Sequence, residues 1–207
     1  MAAVVALSEL IDARRVWRAR AEPVPAATES TGWSSLDAAL PTQGWPEASV
    51  TEILLPADGV GELRLVLPTL ARLSHGTRPV MLIAPPYLPC AMGWRQRGVA
   101  LATLHIVHAA EAEVLWAAEQ CLRSGSCSAV LAWPREANDR ALRRLQVAAD
   151  TGHALAFVFR DRRHAVQASP APLRLVVETT PVPGLRVLKC RGGQPPATVL
   201  AWPDTRQ

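Results

Sequence analysis

The chain has 207 residues, of which 49% are hydrophobic, and a formal net charge of +4. This length accommodates one sizeable domain with a packed core, and the composition excludes an intrinsically disordered chain. No apolar run reaches the roughly 18 residues that a membrane-spanning helix needs, and the N-terminus lacks the apolar core of a signal peptide. We therefore expect a cytoplasmic protein with no membrane contact.

Arginine carries almost all of the positive charge, since Lys189 is the single lysine. Such a charge permits contact with nucleic acid without establishing it. The four cysteines form no CxxC pair, and no histidine stands at metal-ligand spacing from them; they are Cys90, Cys121, Cys127 and Cys190. We expect buried free thiols and no metal site.

Residues 1–22 predict an amphipathic helix that is set apart from the rest of the chain. Its apolar face includes Leu10 and Trp17, and residues 23–29 form a proline-containing linker. The helix either packs on its own domain or serves as a docking arm for a partner protein, with Leu10 and Trp17 as the contacts. Residues 30–207 are expected to form a single domain.

In that domain, apolar strands alternate with amphipathic helices. In chain order, the pattern predicts helices at 30–40, 62–74, 91–97, 112–123 and 139–151, and strands at 50–55, 79–84, 104–107, 128–133 and 154–159. Continuous apolar strands separated by helices indicate a parallel sheet covered on both faces. An arginine-rich loop is predicted over 160–172. Short strands at 173–178, 185–190 and 197–200 are then predicted to extend the sheet in antiparallel fashion.

The turn after the first strand resembles a phosphate-binding loop without the residues that bind phosphate. Gly59 and Gly61 supply the tight turn, but Glu62 and Leu63 stand where the motif needs lysine and then serine or threonine. The lysine contacts the phosphates and the hydroxyl holds Mg²⁺, whereas a carboxylate repels phosphate. The strand ending in Trp133 also lacks a magnesium-binding aspartate. We predict no cofactor and no ATP hydrolysis, with weak nucleotide binding through backbone amides as the open alternative.

No other catalytic arrangement is present in the sequence. The five histidines are dispersed, and no serine has the context of a nucleophile elbow. We therefore expect that the protein is not an enzyme.

The chain from residue 30 onward resembles the core of the RecA family, and the whole chain resembles ImuA-type translesion-synthesis proteins, which are also called SulA-like. The RecA likeness is carried by Ser30-Thr31-Gly32, Leu36-Asp37-Ala38-Ala39-Leu40, Gly44-Trp45-Pro46 and Glu52-Ile53. The ImuA likeness is carried by stretches such as Val16-Trp17-Arg18, Gly61-Glu62-Leu63, Pro85-Pro86-Tyr87-Leu88-Pro89, Leu131-Ala132-Trp133-Pro134 and Arg191-Gly192-Gly193. The resemblance implies a RecA-like three-layer α/β/α core.

The resemblance also implies a function in the response to DNA damage. A protein of this type is expected to act as a non-catalytic adaptor in SOS-induced, error-prone translesion synthesis. Its partners would be an ImuB-type polymerase-like protein, an error-prone DnaE-type polymerase and RecA. The alternatives are a SulA-like SOS inhibitor that binds the tubulin-like division protein, and a RecA-like DNA-dependent ATPase, which the degenerate loop disfavours.

In RecA-like proteins, loops at the carboxyl ends of the strands approach DNA. The resemblance therefore implies that Arg160, Arg162 and Arg163 contact DNA phosphates. The alternative is a solvated loop in which Asp161 pairs with an arginine.

Overall fold

The computed structural model describes residues 26–202, so the predicted N-terminal helix, with Leu10 and Trp17, lies outside the described residues. The helices are α1 (Ser34–Ala39), α2 (Glu62–Leu73), α3 (Ala91–Gln96), α4 (Val114–Arg123) and α5 (Asp139–Gly152). The strands are β1 (Val50–Leu55), β2 (Val80–Ile83), β3 (Leu104–Val107), β4 (Ala129–Ala132), β5 (Leu155–Asp161), β6 (Leu173–Glu178), β7 (Gly184–Cys190) and β8 (Leu200–Ala201). No helix within 26–202 is both long enough and apolar enough to cross a membrane.

The eight strands form one sheet in the order β3-β2-β4-β5-β1-β6-β7-β8. The first six strands in this order pair in parallel, and β7 and β8 are antiparallel to their neighbours. This confirms an α/β protein with a mostly parallel sheet and a C-terminal antiparallel extension. The prediction is wrong for β6, which pairs in parallel with β1, with Thr51 opposite Leu173. The chain after β5 is about as long as a parallel crossover requires.

Helices cover both faces of this sheet because alternate strand residues enter two separate hydrophobic clusters. One cluster joins Ile53, Leu82 and Phe157 to residues of α1, α2 and α3, including Leu36, Leu65, Leu70 and Trp94. The other joins Val50, Ile83 and Val158 to residues of α4 and α5, including Ala118, Leu122, Leu142 and Leu145. Successive side chains of a strand point to opposite faces, so continuous apolar strands need cover on both sides.

The segment after Phe159 is more ordered than the predicted loop. Strand β5 continues through Asp161, and Arg162–Val166 forms a 3₁₀ turn. The Asp161 side chain caps this turn by accepting the backbone N–H of Arg163 at 2.7 Å. The sequence pattern missed the extension of β5 because Arg160, which reads as a polar loop residue, is buried.

The four cysteines are free thiols, as predicted, but they are not all buried. Cys127 and Cys190 are buried, Cys121 is partly buried and Cys90 is exposed. The Cys90 sulfur accepts the N–H of Gly93 at 3.5 Å, so this residue caps α3 instead of filling the core. A hydrogen bond from Cys121 lowers the pKa of Cys127 to about 7. Residues 26–202 contain no cluster of side chains suited to hold a metal ion.

Candidate functional site

The glycine turn, residues 56–61, joins β1 to α2 with the geometry that the sequence predicts. Strand β1 is buried throughout, and Gly61 is the N-cap residue of α2. Gly59 has φ 78° and Gly61 has φ 94°, a region in which a side chain would be strained. The two glycines are therefore required by the backbone path itself.

The side chain of Glu62 folds back into this turn. It is buried, and its Oε1 atom accepts the backbone N–H of Gly59 at 3.4 Å. In a phosphate-binding loop, such N–H groups bind the phosphate. Here the Glu62 carboxylate accepts one of these N–H groups. It therefore opposes nucleotide binding because it occupies the position of a phosphate as well as because it is acidic. Leu63, in the first turn of α2, packs against the core and offers no hydroxyl to a metal ion.

A buried group of three charged side chains lies on the adjacent strands β1, β5 and β6. Glu52 is fully buried in β1, and its Oε2 atom accepts from Nε of Arg174 at 2.6 Å. Its Oε1 atom pairs with Arg160, which also donates to the carbonyl of Ala137 at 2.6 Å. The sheet register places Glu52 opposite Arg174 and two residues before the partner of Arg160. We refer to Glu52, Arg160 and Arg174 as the charge triad.

The charge triad holds the 3₁₀ turn against the sheet. Arg174 donates to the carbonyls of His164 at 2.9 Å and Gln167 at 2.9 Å. The Arg174 guanidinium thereby joins β6 to the residues that form and follow the 3₁₀ turn. The turn is therefore positioned by charges inside the protein.

The arginines predicted to contact DNA differ in burial and in pairing. Arg160 is buried and pairs with Glu52, so it is the least exposed of the three predicted arginines. Arg162 and Arg163 are exposed, and the contact of all three with DNA stays a prediction. The predicted alternative pairing also differs, because Arg163 forms its ion pair with Glu136 and not with Asp161.

A cleft of about 610 Å³ opens at the carboxyl ends of the strands, where open α/β sheets bind their ligands. We call it the strand-end cleft. Its lining residues come from the ends of β1, β2, β4 and β5 and the segment before α4, and include Leu55, Pro86, Val114, Trp133, Phe159 and Arg160. The Trp133 and Phe159 rings stack with centroids 4.6 Å apart. Charged side chains also line it, namely Asp58, Glu111, Arg135, Asp161 and Arg163.

An exposed apolar segment follows β2 next to this cleft. The side chains of Tyr87 and Leu88 are 67% and 72% exposed, and Pro86 lines the cleft itself. Adjacent exposed apolar residues of this kind mark contact surfaces in many proteins. Sequence reasoning favoured Trp17 as the contact residue and missed this segment, although Pro85-Pro86-Tyr87 is an unusual run for a loop.

These features together define a class of protein. It is an α/β protein that keeps a strand–glycine turn–helix unit, fills the turn with its own carboxylate, and presents a cleft and an apolar segment at the same sheet edge. A family model described as "Cell division inhibitor SulA" matches residues 48–156, just over half of the chain. The chain belongs to the SulA family. The matched region includes the glycine turn, Glu62 and Trp133.

One solved structure that matches part of the chain is the crystal structure of SulA from Pseudomonas aeruginosa. It is 27% identical in sequence and has a TM-score of 0.46, and the match covers 53% of this chain and 96% of that chain. A comparison with curated proteins found no match. The family match confirms the SulA-like part of the sequence resemblance, while its ImuA-type and RecA-like parts stay predictions.

Proposed function

We propose that the chain is a non-catalytic protein of the SOS response that acts in the cytoplasm by binding another protein. Its partner is the tubulin-like division protein, and binding inhibits cell division. The observation that carries this proposal is the match of residues 48–156 to the family of cell division inhibitor SulA. The buried carboxylate of Glu62 in the glycine turn supports a function without nucleotide.

A RecA-like ancestry of the core is part of this proposal. The strand order, with β1 flanked by β5 and β6, supports it, as does the glycine turn that leads from β1 into α2. In such a core the turn would once have held a phosphate. With Glu62 and Leu63 in place of the lysine and the hydroxyl residue, the phosphate chemistry would be lost. The glycines that the turn requires would still preserve its backbone path.

The second candidate function is an adaptor in translesion synthesis, beside an ImuB-type protein, a DnaE-type polymerase and RecA. The observation that favours it is the length of chain outside the family match. Strands β6, β7 and β8 all lie after residue 156, and the likeness to ImuA-type chains includes Val16-Trp17-Arg18 and Arg191-Gly192-Gly193. The DNA contacts predicted for Arg160, Arg162 and Arg163 belong to this candidate.

A pull-down distinguishes the two candidates. The full chain is immobilised and offered the division protein, the ImuB-type protein and RecA of its source organism, each purified and at the same concentration. Retention of the division protein is the expected result. Retention of the ImuB-type protein without the division protein would reject the inhibitor in favour of the adaptor, and retention of neither would contradict both.

The same assay tests the N-terminal docking arm. If the adaptor candidate holds, a chain of residues 23–207 and a full chain carrying Leu10→Ser and Trp17→Ala both lose retention of the ImuB-type protein, because the apolar face of residues 1–22 supplies the contact. A full chain with Arg14→Ala and Arg15→Ala is the matched control and keeps binding. Undiminished binding by the truncated chain would show that residues 1–22 are not a docking arm.

A further inference from the structure

We propose that the strand-end cleft is a docking site for an extended acidic peptide segment of a partner protein, with its carboxylate bound at Arg160. The inference deepens the proposed function and rests on its premise that the chain acts by binding another protein. Within residues 26–202, two buried N–H groups of cleft-lining residues have no hydrogen-bond acceptor: Nε of Arg160 and Nε1 of Trp133. Leaving a buried donor unpaired costs folding free energy. A ligand that supplies acceptors removes this cost.

The charge around Arg160 determines which acceptor suits it. Glu52 carries one negative charge and contacts two guanidinium groups, so the charge triad is positive by one unit in the interior. Arg174 donates its other N–H groups to backbone carbonyls of the 3₁₀ turn. Arg160 keeps the unpaired donor and lines the cleft. A carboxylate both balances the buried charge and forms a charge-assisted hydrogen bond.

The second donor favours a peptide over a simple anion. Trp133 and Phe159 belong to the hydrophobic cluster on one face of the sheet. Arg160 follows Phe159 in the strand and so points to the opposite face. The two donors therefore lie on different walls, and one small anion cannot serve both as well as an extended chain. A peptide offers a neutral backbone carbonyl to the indole and a side-chain carboxylate to the guanidinium.

The rest of the cleft fits apolar side chains on either side of the acidic residue. Its uncharged wall is formed by Leu55, Pro86, Val114 and Phe159, and Tyr87 and Leu88 continue this apolar surface outside. A nucleotide fits less well, since its several phosphate charges would meet Asp58 and Asp161 whereas the peptide brings a single carboxylate to Arg160, and since Glu62 fills the glycine turn. Arg163 and Glu136 form an exposed ion pair at the rim. Exposed ion pairs add little stability, so a ligand displaces this one easily.

The test uses the ¹⁵N-labelled full chain and the indole N–H resonances of its tryptophans. The probe is acetyl-Leu-Glu-Leu-amide, and the matched control is acetyl-Leu-Gln-Leu-amide, which has the same shape without the charge. The Trp133 resonance is assigned with Trp133→Phe, which keeps the ring stack. Trp45 serves as an internal reference because its N–H already donates to Thr69 at 2.8 Å.

The glutamate peptide is expected to shift the Trp133 resonance saturably, with a Kd near or below about 1 mM, and to leave Trp45 unchanged. The glutamine peptide is expected to bind at least about tenfold more weakly, as is the glutamate peptide to the Arg160→Lys chain. Equal affinity of the two peptides, no saturable shift, or tighter binding of Mg-ATP at the same resonance would overturn the inference.

Failure of this site and failure of the proposed function give different results. If the division protein is retained in the pull-down while the glutamate peptide does not bind, the cleft is not the docking site and the function stands. If the peptide binds while no partner is retained, the site stands and the proposed function fails.

Discussion

Replacement of Glu52 by glutamine is expected to destabilise the folded state by about 3–5 kcal/mol, because it leaves two buried guanidinium groups without their carboxylate. The side chains of Arg160 and Arg174 are 2% and 7% exposed, so water cannot compensate for the loss. Urea unfolding of Glu52→Gln beside the wild-type chain measures the difference. The exchange of amide hydrogens in the 3₁₀ turn is expected to accelerate as well, since Arg174 anchors its carbonyls.

The matched control for this change is Glu136→Gln. Glu136 also pairs with an arginine, Arg163, but both side chains are more than half exposed. The control is therefore expected to cost no more than about 1 kcal/mol. Equal stability of the Glu52→Gln and Glu136→Gln chains would show that the charge triad does not hold the sheet together.

Gly152→Ala is expected to destabilise the protein by about 2 kcal/mol at the contact between α4 and α5. A Cβ atom at Gly152 would lie 1.8 Å from the carbonyl oxygen of Leu122, which is backbone and cannot rotate away. Forcing extra volume into a packed contact costs about 1–3 kcal/mol. The better helix propensity of alanine offsets at most about 1 kcal/mol of this. Thermal or urea unfolding measures the net effect.

Thr151→Ala is the control at the neighbouring position. Thr151 is exposed, and its hydroxyl bonds only within its own helix, to the carbonyl of Val147 at 2.8 Å. We expect a change within about 0.5 kcal/mol. If Gly152→Ala were as stable as Thr151→Ala, the two helices would not approach as closely as described here.

Most of the fold could be predicted because hydrophobic periodicity reports the burial of strands and helices directly. The helices of the described region and the strands β1 to β5 follow from apolar runs and glycine caps such as Gly98 and Gly125. The direction of β6 could not be predicted, since strand polarity depends on where the connecting chain runs. The end of β5 was missed because its last buried residue, Arg160, is charged.

The candidate site was harder to predict than the fold, and the charge triad shows why. Glu52 is 108 residues from Arg160 and 122 residues from Arg174 in the sequence. Local sequence patterns do not indicate contacts over such separations. The sequence identified the glycine turn and the missing lysine. It did not reveal that Glu62 folds back onto Gly59, because that depends on a side-chain rotamer. The strand-end cleft could not be predicted either, because it depends on how Trp133 and Phe159 meet at the ends of neighbouring strands.

Titration of the full chain with ATP in the presence of Mg²⁺ tests most directly whether the glycine turn has lost its nucleotide chemistry. Isothermal titration calorimetry at protein concentrations suited to micromolar affinities is the measurement. We predict no saturable, magnesium-dependent binding tighter than about 1 mM, because the carboxylate of Glu62 occupies the turn and no lysine or hydroxyl stands beside it. Tight binding that disappears when Mg²⁺ is removed would contradict this conclusion and restore a nucleotide-dependent function.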